Sequence, residues 1–184
     1  MQKKILVFGA ANSKSSINSQ FAHFAASKLK NVDLTVIKLH DFELPVYSVD
    51  LEKESGIPEN ALKFFSFIKE CDGIAASFAE YNGLYTSAFK NLWDWMSRIP
   101  MEKRYNIWDN KPMLLLSASP SPRPMNNVMK ISKELFPIFG ATIVASFYLN
   151  VFPKNFADNQ IINPSLKEDF DKQLESFQNH LNNL

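Results

Sequence analysis

Residues 4–29 read KILVFGAANSKSSINSQFAHFAASKL and contain one complete β-α unit. The apolar run at 4–9 is nearly continuous, which is typical of a parallel strand covered on both faces. A polar loop follows this run. Beyond the loop, apolar residues recur at the three-or-four spacing of one helix face, at Ile17, Phe21, Phe24, Ala25 and Leu29.

The same β-α unit recurs along the chain, so that strands and helices alternate five times. The other strands are predicted at 34–39, 73–78, 113–117 and 142–149. The other helices are predicted from apolar stripes at 57–68, 88–96, 128–138 and 166–181. Strict alternation implies right-handed crossovers and a parallel sheet with helices on both faces. Five strands favour a flavodoxin-like three-layer α/β sandwich with strand order 2-1-3-4-5.

Local signals refine the helix ends and the connections. Pro58 suits a first helical position, and Pro137 predicts a kink or an early end of its helix. Ser165 and Glu168 have the spacing of a capping box. The connections 41–56 and 150–164 are long for a compact domain, so we expect each to cover a site or a partner.

Composition limits the classes of protein that this chain can be. Its 184 residues are expected to form one domain, residues 1–184. The formal net charge of +1, without a run of Lys and Arg, argues against a nucleic-acid partner. The first apolar run is too short for a secretory signal or a membrane span, so we expect a cytoplasmic protein.

Cysteine and histidine give no sign of a metal centre. Cys71 is the single cysteine, which excludes an internal disulfide and a thiolate cluster, and we expect it to be a buried small hydrophobe. The three histidines, His23, His40 and His180, do not share a ligand-like spacing. No metal site is therefore predicted.

Ligands of an open parallel sheet bind beyond the carboxyl ends of its strands, where the strand order reverses. The loops at this point are 9–18, 79–87 and 117–127. The first loop carries short hydroxyl and amide side chains at the start of a helix, at Asn12, Ser13, Ser15, Ser16 and Asn18. This pattern suits a compact phosphate monoester, and an ordinary polar N-cap would give it as well. It is neither GxGxxG nor a P-loop, which argues against a dinucleotide or a nucleoside triphosphate here.

The second loop reads AEYNGLYTSAFKNLWDW and directly follows the third predicted strand. Tyr81, Asn82 and Gly83 supply an aromatic ring, an amide and a residue that permits close backbone approach. Together they could hold a planar heterocycle that forms hydrogen bonds.

The stretch EYNG followed by FKNLWDW resembles the NADPH-dependent FMN reductase family, a flavodoxin-like group that includes quinone and azo-dye reductases. The matching residues are Glu80, Tyr81, Asn82, Gly83, Lys90, Asn91, Asp94 and Trp95. The resemblance implies FMN, with its phosphate on the first loop and its ring against residues 80–83. It also implies that the loop after the fourth strand borders the flavin, at Ser117, Ala118, Ser119 and Pro120.

The resemblance further implies an activity. NADPH or NADH would be the co-substrate, delivering a hydride through flavin N5 to a small-molecule acceptor such as a quinone, an azo compound or free flavin. No catalytic side chain is required. Family members are usually homodimers or homotetramers. Two alternatives remain: an FMN-binding electron carrier, and a non-redox module that keeps the fold with an eroded flavin site.

The chain departs from the family pattern at the phosphate end. The customary Arg of the first loop is missing, with Asn12 nearest to its place, and Ala79 replaces the usual Pro. The third loop contains three prolines, which deny backbone donors to a ligand, and Arg123 is a candidate for the missing charge. Lys90 and Asp94 are expected to pair on a helix surface. The three tryptophans, Trp93, Trp95 and Trp108, are expected to serve packing or a subunit contact.

Overall fold

Five parallel strands form the central sheet of the computed structural model, which describes residues 2–99, 106–122 and 126–184. The strands are β1 (Lys3–Ala10), β2 (Val32–Val36), β3 (Gly73–Phe78), β4 (Pro112–Ala118) and β5 (Thr142–Leu149). Their order is β2-β1-β3-β4-β5, and every neighbouring pair is parallel. The predicted flavodoxin-like order is therefore confirmed.

Seven helices connect and cover these strands in the described part of the chain. They are α1 (Ile17–Ser27), α2 (Val49–Ser55), α3 (Glu59–Glu70), α4 (Ser87–Met96), α5 (Asn127–Ile138), α6 (Phe152–Asn155) and α7 (Pro164–Asn182). Within the described residues, no helix combines the length and the apolar character that crossing a membrane requires.

The sheet has an apolar core on each face because successive strand residues point to opposite sides. Ile5 and Val7 of β1 face the helices α1 and α7, whereas Leu6 and Phe8 face α3, α4 and α5. Full burial of each such side chain stabilises the fold by roughly 1.5–3 kcal/mol before entropy is counted. The two cores fix the strands, and with them the loops at their carboxyl ends.

Several predicted element ends need correction. The second strand ends at Val36 rather than 39, because Leu39 opens a short 3-10 turn, Leu39–Asp41. Pro58 is the N-cap of α3, one residue before the first helical position. Asn163, not Ser165, caps α7, since its side chain accepts a hydrogen bond from the Leu166 N–H at 3.1 Å. Pro137 lies inside the last turn of α5, which continues to Ile138, so the helix does not end before the end of its predicted apolar stripe.

The two long connections are partly regular. The segment 41–56 contains α2, and the segment 150–164 contains α6 and a hairpin of Phe156–Ala157 with Gln160–Ile161. Neither short helix has a long apolar stripe, so the periodicity of the sequence did not indicate them. A second hairpin, of Glu80–Tyr81 with Leu84–Tyr85, follows β3 directly.

Candidate functional site

The loop between β1 and α1 is built on a very close approach of strand and helix. A Cβ atom added to Gly9 would lie 2.3 Å from the backbone nitrogen of Ser19, so only glycine fits there. Ser16 then caps α1, because its Oγ accepts a hydrogen bond from the Ser19 N–H at 3.2 Å. The expectation that this loop contains an N-cap is met by Ser16.

The same loop leaves backbone donors free. Among the described residues, no protein acceptor lies within hydrogen-bond reach of the N–H groups of Ser13, Lys14, Ser15, Ile17 and Asn18. The first turn of α1 contains no acidic residue. Free N–H groups and the positive end of a helix together favour a bound anion. The geometry of the loop therefore suits a phosphate group.

The side chain of Asn18, at the start of α1, forms hydrogen bonds with other residues of the protein and is not free to bind a ligand. Its amide is 3% exposed and bonds both the N–H and the carbonyl oxygen of Ala118, at 2.9 and 3.1 Å. Ser77 Oγ also donates to Asn18 Oδ1 at 2.7 Å. Asn18 therefore ties α1 to the ends of β3 and β4 and fixes the distance between the first and third loops.

The second loop is a tight hairpin whose turn is Asn82–Gly83. Both residues have positive φ, 53° and 84°, as a type I′ turn requires. Tyr81 is half exposed beside the turn, and Glu80 Oε2 accepts a hydrogen bond from the Val128 N–H at 3.2 Å. The hairpin is thus anchored to the first turn of α5.

The third loop has few donors left for a ligand. The Ala118 N–H bonds Asn18, the Ser119 N–H bonds the Leu149 carbonyl at 3.1 Å, and Pro120 and Pro122 have no N–H. The Ser119 hydroxyl donates to the Ser121 carbonyl at 2.9 Å and also contacts Tyr148 Oη at 2.6 Å. Arg123, the candidate for the missing charge, lies outside the described residues.

The three loops enclose a cleft of about 320 Å³ at the carboxyl ends of β1, β3 and β4. Nine of the predicted site residues line it: Ser13, Ser15, Ser16, Asn18, Glu80, Tyr81, Ala118, Ser119 and Pro120. Its volume falls at the lower end of the range for small-molecule sites, roughly 300–1,000 Å³. The sequence thus predicted which loops would meet at this edge of the sheet.

Four predicted residues lie elsewhere. Asn12 lines a neighbouring cleft of about 430 Å³, beside the connection that follows β2. Asn82 and Gly83 form the hairpin turn. Ser117 is fully buried beneath the cleft, where its hydroxyl donates to the Phe78 carbonyl at 2.7 Å.

The cleft is also lined by four residues that were not predicted as site residues, namely Ala11, Ile17, Ala79 and Asn126. Asn126 is the most informative of these. It caps α5 through the Met129 N–H at 2.8 Å and donates to Ser117 Oγ at 2.7 Å. An Asn just before a helical apolar stripe is a recognised N-cap signal, and it was the available clue.

The FKNLWDW stretch serves the architecture of the fold rather than the cleft. Asn91 on α4 accepts from the Tyr47 N–H at 2.8 Å and donates to the Pro45 carbonyl at 3.0 Å. Trp95 Nε1 donates to the same carbonyl at 2.8 Å. These bonds hold residues 44–48, the strap, against α4. Lys90 and Asp94 form the expected surface ion pair at 2.6 Å.

Two buried ionisable groups among the described residues, neither of which lines the cleft, have raised pKa values. Burial raises the pKa of Tyr85 to about 12, so its hydroxyl stays neutral, and it contacts Ser132 Oγ at 2.7 Å. Burial also raises the pKa of the Cys71 thiol to about 11, as expected for an inert cysteine. Among the residues that the structure describes, no three His, Cys, Asp or Glu side chains form a cluster that could hold a metal ion.

Comparisons with known proteins agree with this geometry. A 2-hydroxy-1,4-benzoquinone reductase of a Burkholderia species is 34% identical over 119 residues, which cover 65% of this chain and 62% of the relative. An uncharacterized protein of Mycoplasma pneumoniae is 26% identical over 157 residues, covering 85% of this chain and 92% of the relative. The matched part spans less than two thirds of the benzoquinone reductase.

Among solved structures, a flavoenzyme NAD(P)H:(acceptor) oxidoreductase from Paracoccus denitrificans matches with a TM-score of 0.73 at 21% identity. That match covers 98% of both chains, and at this identity it establishes likeness of fold. The family model for NADPH-dependent FMN reductase matches residues 3–153, which include all three loops of the cleft. The chain therefore belongs to the NADPH-dependent FMN reductase family.

Proposed function

We propose that this protein is an NAD(P)H-dependent, FMN-containing oxidoreductase of the quinone or azo reductase type. The observation that carries the proposal is the cleft in which the free N–H groups of the first loop meet the Tyr81 hairpin and the third loop. When bound there, FMN would supply the chemistry by accepting a hydride at N5 from NADPH or NADH and passing it to a quinone, an azo compound or free flavin.

The residues of the cleft have distinct parts in this proposal. The hydroxyl and N–H groups of Ser13, Ser15 and Ser16 would hold the phosphate. Tyr81 and Pro120, which both line the cleft, would flank the ring. Asn18 and Asn126 hold these loops in place through their buried hydrogen bonds. No side chain of the chain is assigned the role of acid or base.

We further propose that residues 1–184 act as a single FMN-binding domain in a cytoplasmic homodimer or homotetramer. A groove of about 330 Å³ between α4 and α5 supports self-association, since the apolar side chains of Trp93, Leu135 and Phe139 line it beside Lys90 and Asp94. The single buried cysteine suits a reducing compartment.

Visible spectroscopy of the purified protein, before and after addition of FMN, tests the proposal. A bound flavin that bleaches anaerobically on addition of NADPH or NADH, and recovers its colour on addition of a quinone, is the expected result. A flavin that binds but does not bleach would indicate an electron carrier instead. Colourless protein that binds no FMN in calorimetry would contradict the proposal and favour a non-redox module.

A further inference from the structure

The neighbouring cleft of about 430 Å³ shares a wall with the proposed flavin cleft. Asn12 lines this neighbouring cleft, whereas the residues before and after it, Ala11 and Ser13, line the flavin cleft. The first loop therefore separates the two clefts. The volume of the neighbouring cleft falls within the range of small-molecule sites, roughly 300–1,000 Å³, so it is large enough for a ligand of its own.

The apolar side chains of this cleft suit a flat ring. Leu39 and Phe42, in the connection that follows β2, are buried and line it. Leu44 of the strap and Ala88 of α4 also line it and are partly buried. A planar heterocycle such as a nucleobase gains free energy when its faces are buried against side chains of this kind.

Two polar side chains of the cleft are not engaged by the protein. Within the described part of the chain, neither the amide of Asn12 nor the hydroxyl of Ser87 forms a hydrogen bond. The amide of Asn91, which also lines the cleft, is by contrast bonded to the backbone of the strap. Asn12 and Ser87 can therefore donate to a ligand and accept from it.

Glu43 gives the cleft a negative charge. It is exposed, and its carboxylate has no ion-pair partner among the described residues. The Nε2 atom of His40, which also lines the cleft, lies 3.4 Å from Asp41 Oδ1, so a positive charge on His40 is balanced there. No lysine or arginine occurs among the described residues that line the cleft. A carboxylate accepts hydrogen bonds from hydroxyl groups and repels a phosphate group.

We propose that this cleft binds the adenosine half of the nicotinamide co-substrate and that Glu43 selects NADH over NADPH. The inference rests on the proposed function, because it assumes that a nicotinamide dinucleotide reduces the flavin. When the nicotinamide of such a dinucleotide lies at the flavin, its adenosine needs a second site nearby. The shared first loop places this cleft beside the flavin cleft.

The chemistry of the ribose explains the selection. In dinucleotide-binding α/β folds an acid recognises the ribose hydroxyl of NAD, and an arginine accommodates the 2′-phosphate of NADP. Glu43 is a group of the first kind. The 2′-phosphate of NADPH would meet the Glu43 carboxylate, whereas the 2′-hydroxyl of NADH would donate a hydrogen bond to it.

The test is an NMR titration of the full chain with ADP-ribose and with ADP-ribose 2′-phosphate, the adenosine halves of NADH and NADPH. The parent is expected to bind ADP-ribose at least about threefold more tightly than its 2′-phosphate, with shifts of the Asn12 and Ala88 amide resonances. Glu43→Gln is expected to weaken ADP-ribose binding about threefold to tenfold and to remove this preference. Glu175→Gln is the matched control, since Glu175 is also exposed and lies on α7, across the sheet from the cleft.

A second variant tests the cleft itself. Ala88→Leu fills part of the cleft with a side chain that a helix accepts, and it is expected to weaken ADP-ribose binding at least about tenfold. Equal ADP-ribose affinities of the parent and Ala88→Leu would overturn the inference. A parent that binds the two compounds equally, or the 2′-phosphate more tightly, would overturn the selection by Glu43.

Calorimetry of FMN binding separates this inference from the proposed function. A parent that binds FMN and does not bind ADP-ribose would overturn the inference and leave the proposed function intact. A parent that binds ADP-ribose and does not bind FMN would contradict the proposed function, and with it the co-substrate role of this cleft.

Discussion

The side chain of Asn18 pairs with the backbone of Ala118 at two points, accepting from its N–H at 2.9 Å and donating to its carbonyl at 3.1 Å. Two neighbouring strands form the same pair of backbone hydrogen bonds. Here the side chain of Asn18, on a helix, takes the place of one strand. This pairing explains why an amide, with a donor and an acceptor side by side, stands at this position.

Asn18→Ala should therefore destabilise the fold as a whole. Three buried hydrogen bonds are lost, including that from Ser77, so the free energy of unfolding should fall by about 2–3 kcal/mol. Urea denaturation checks this value. Ser77→Ala removes one of the three bonds and should cost about 1 kcal/mol. An Asn18→Ala variant that is as stable as the parent would show that these three hydrogen bonds do not contribute to the free energy of unfolding.

Gly9→Ala should be more destabilising than Gly56→Ala, because the first adds a steric clash with the backbone and the second adds backbone strain only. The added Cβ at Gly9 would lie 2.3 Å from the Ser19 nitrogen, a backbone atom that cannot rotate away, and we expect a loss of at least about 3 kcal/mol. Gly56 has open space around it, but its φ of 72° and ψ of −161° lie in a region that is essentially restricted to glycine, so its substitution should cost about 1–3 kcal/mol through backbone strain alone. Thermal or urea unfolding of both variants makes the comparison, and a similar cost for the two would refute the close approach at Gly9.

Asn91→Ala should loosen the strap without unfolding the protein. The Tyr47 N–H, which donates to Asn91 Oδ1, should exchange its hydrogen faster in this variant, because its acceptor is removed. Asp94→Asn is the control, since it breaks only the exposed pair with Lys90, a contact worth at most about 0.5 kcal/mol. Exchange of the Tyr47 amide is measured by NMR or mass spectrometry, and an equal rate in both variants would speak against the anchoring role.

The buried Cys71 thiol should make stability depend on alkaline pH. Burial raises its pKa from the ordinary 9.0 to about 11, so the folded state holds this proton more tightly than the unfolded state does. The resulting stabilisation is complete below pH 9.0 and is lost as the pH rises towards about 11. Urea titrations across this window should show a steeper decline in the parent than in Cys71→Ala. Parallel declines would mean that the thiol titrates normally.

The three central strands, β1, β3 and β4, were predictable because they are buried on both faces. β3 was predicted to the residue, since all six of its positions are buried. β2 was misplaced because it is an edge strand with only partial burial, and the apolar run continued past its real end into the turn at Leu39. The other edge strand, β5, is also partly buried but was predicted to the residue, at Thr142–Leu149.

The candidate site was predictable as a place but not as a set of contacts. Topology alone brings the three loops to one edge of the sheet. Whether an amide such as that of Asn18 faces a ligand or a neighbouring backbone depends on residues a hundred positions away, and local sequence does not record this. The same holds for Ser117, whose hydroxyl was expected at the flavin and bonds the Phe78 carbonyl instead.

The contacts of Asn91 and Trp95 with the strap have a consequence for tracing how such proteins diverge. These two residues are a quarter of the eight that match the family motif, yet they bind the backbone of residues 45 and 47. A descendant that lost its flavin would still need them to keep the strap in place. The motif residues Asn91 and Trp95 would then be kept after flavin binding is lost. Substitutions that mark the loss of the cofactor would instead appear in the serine-rich turn at 13–16.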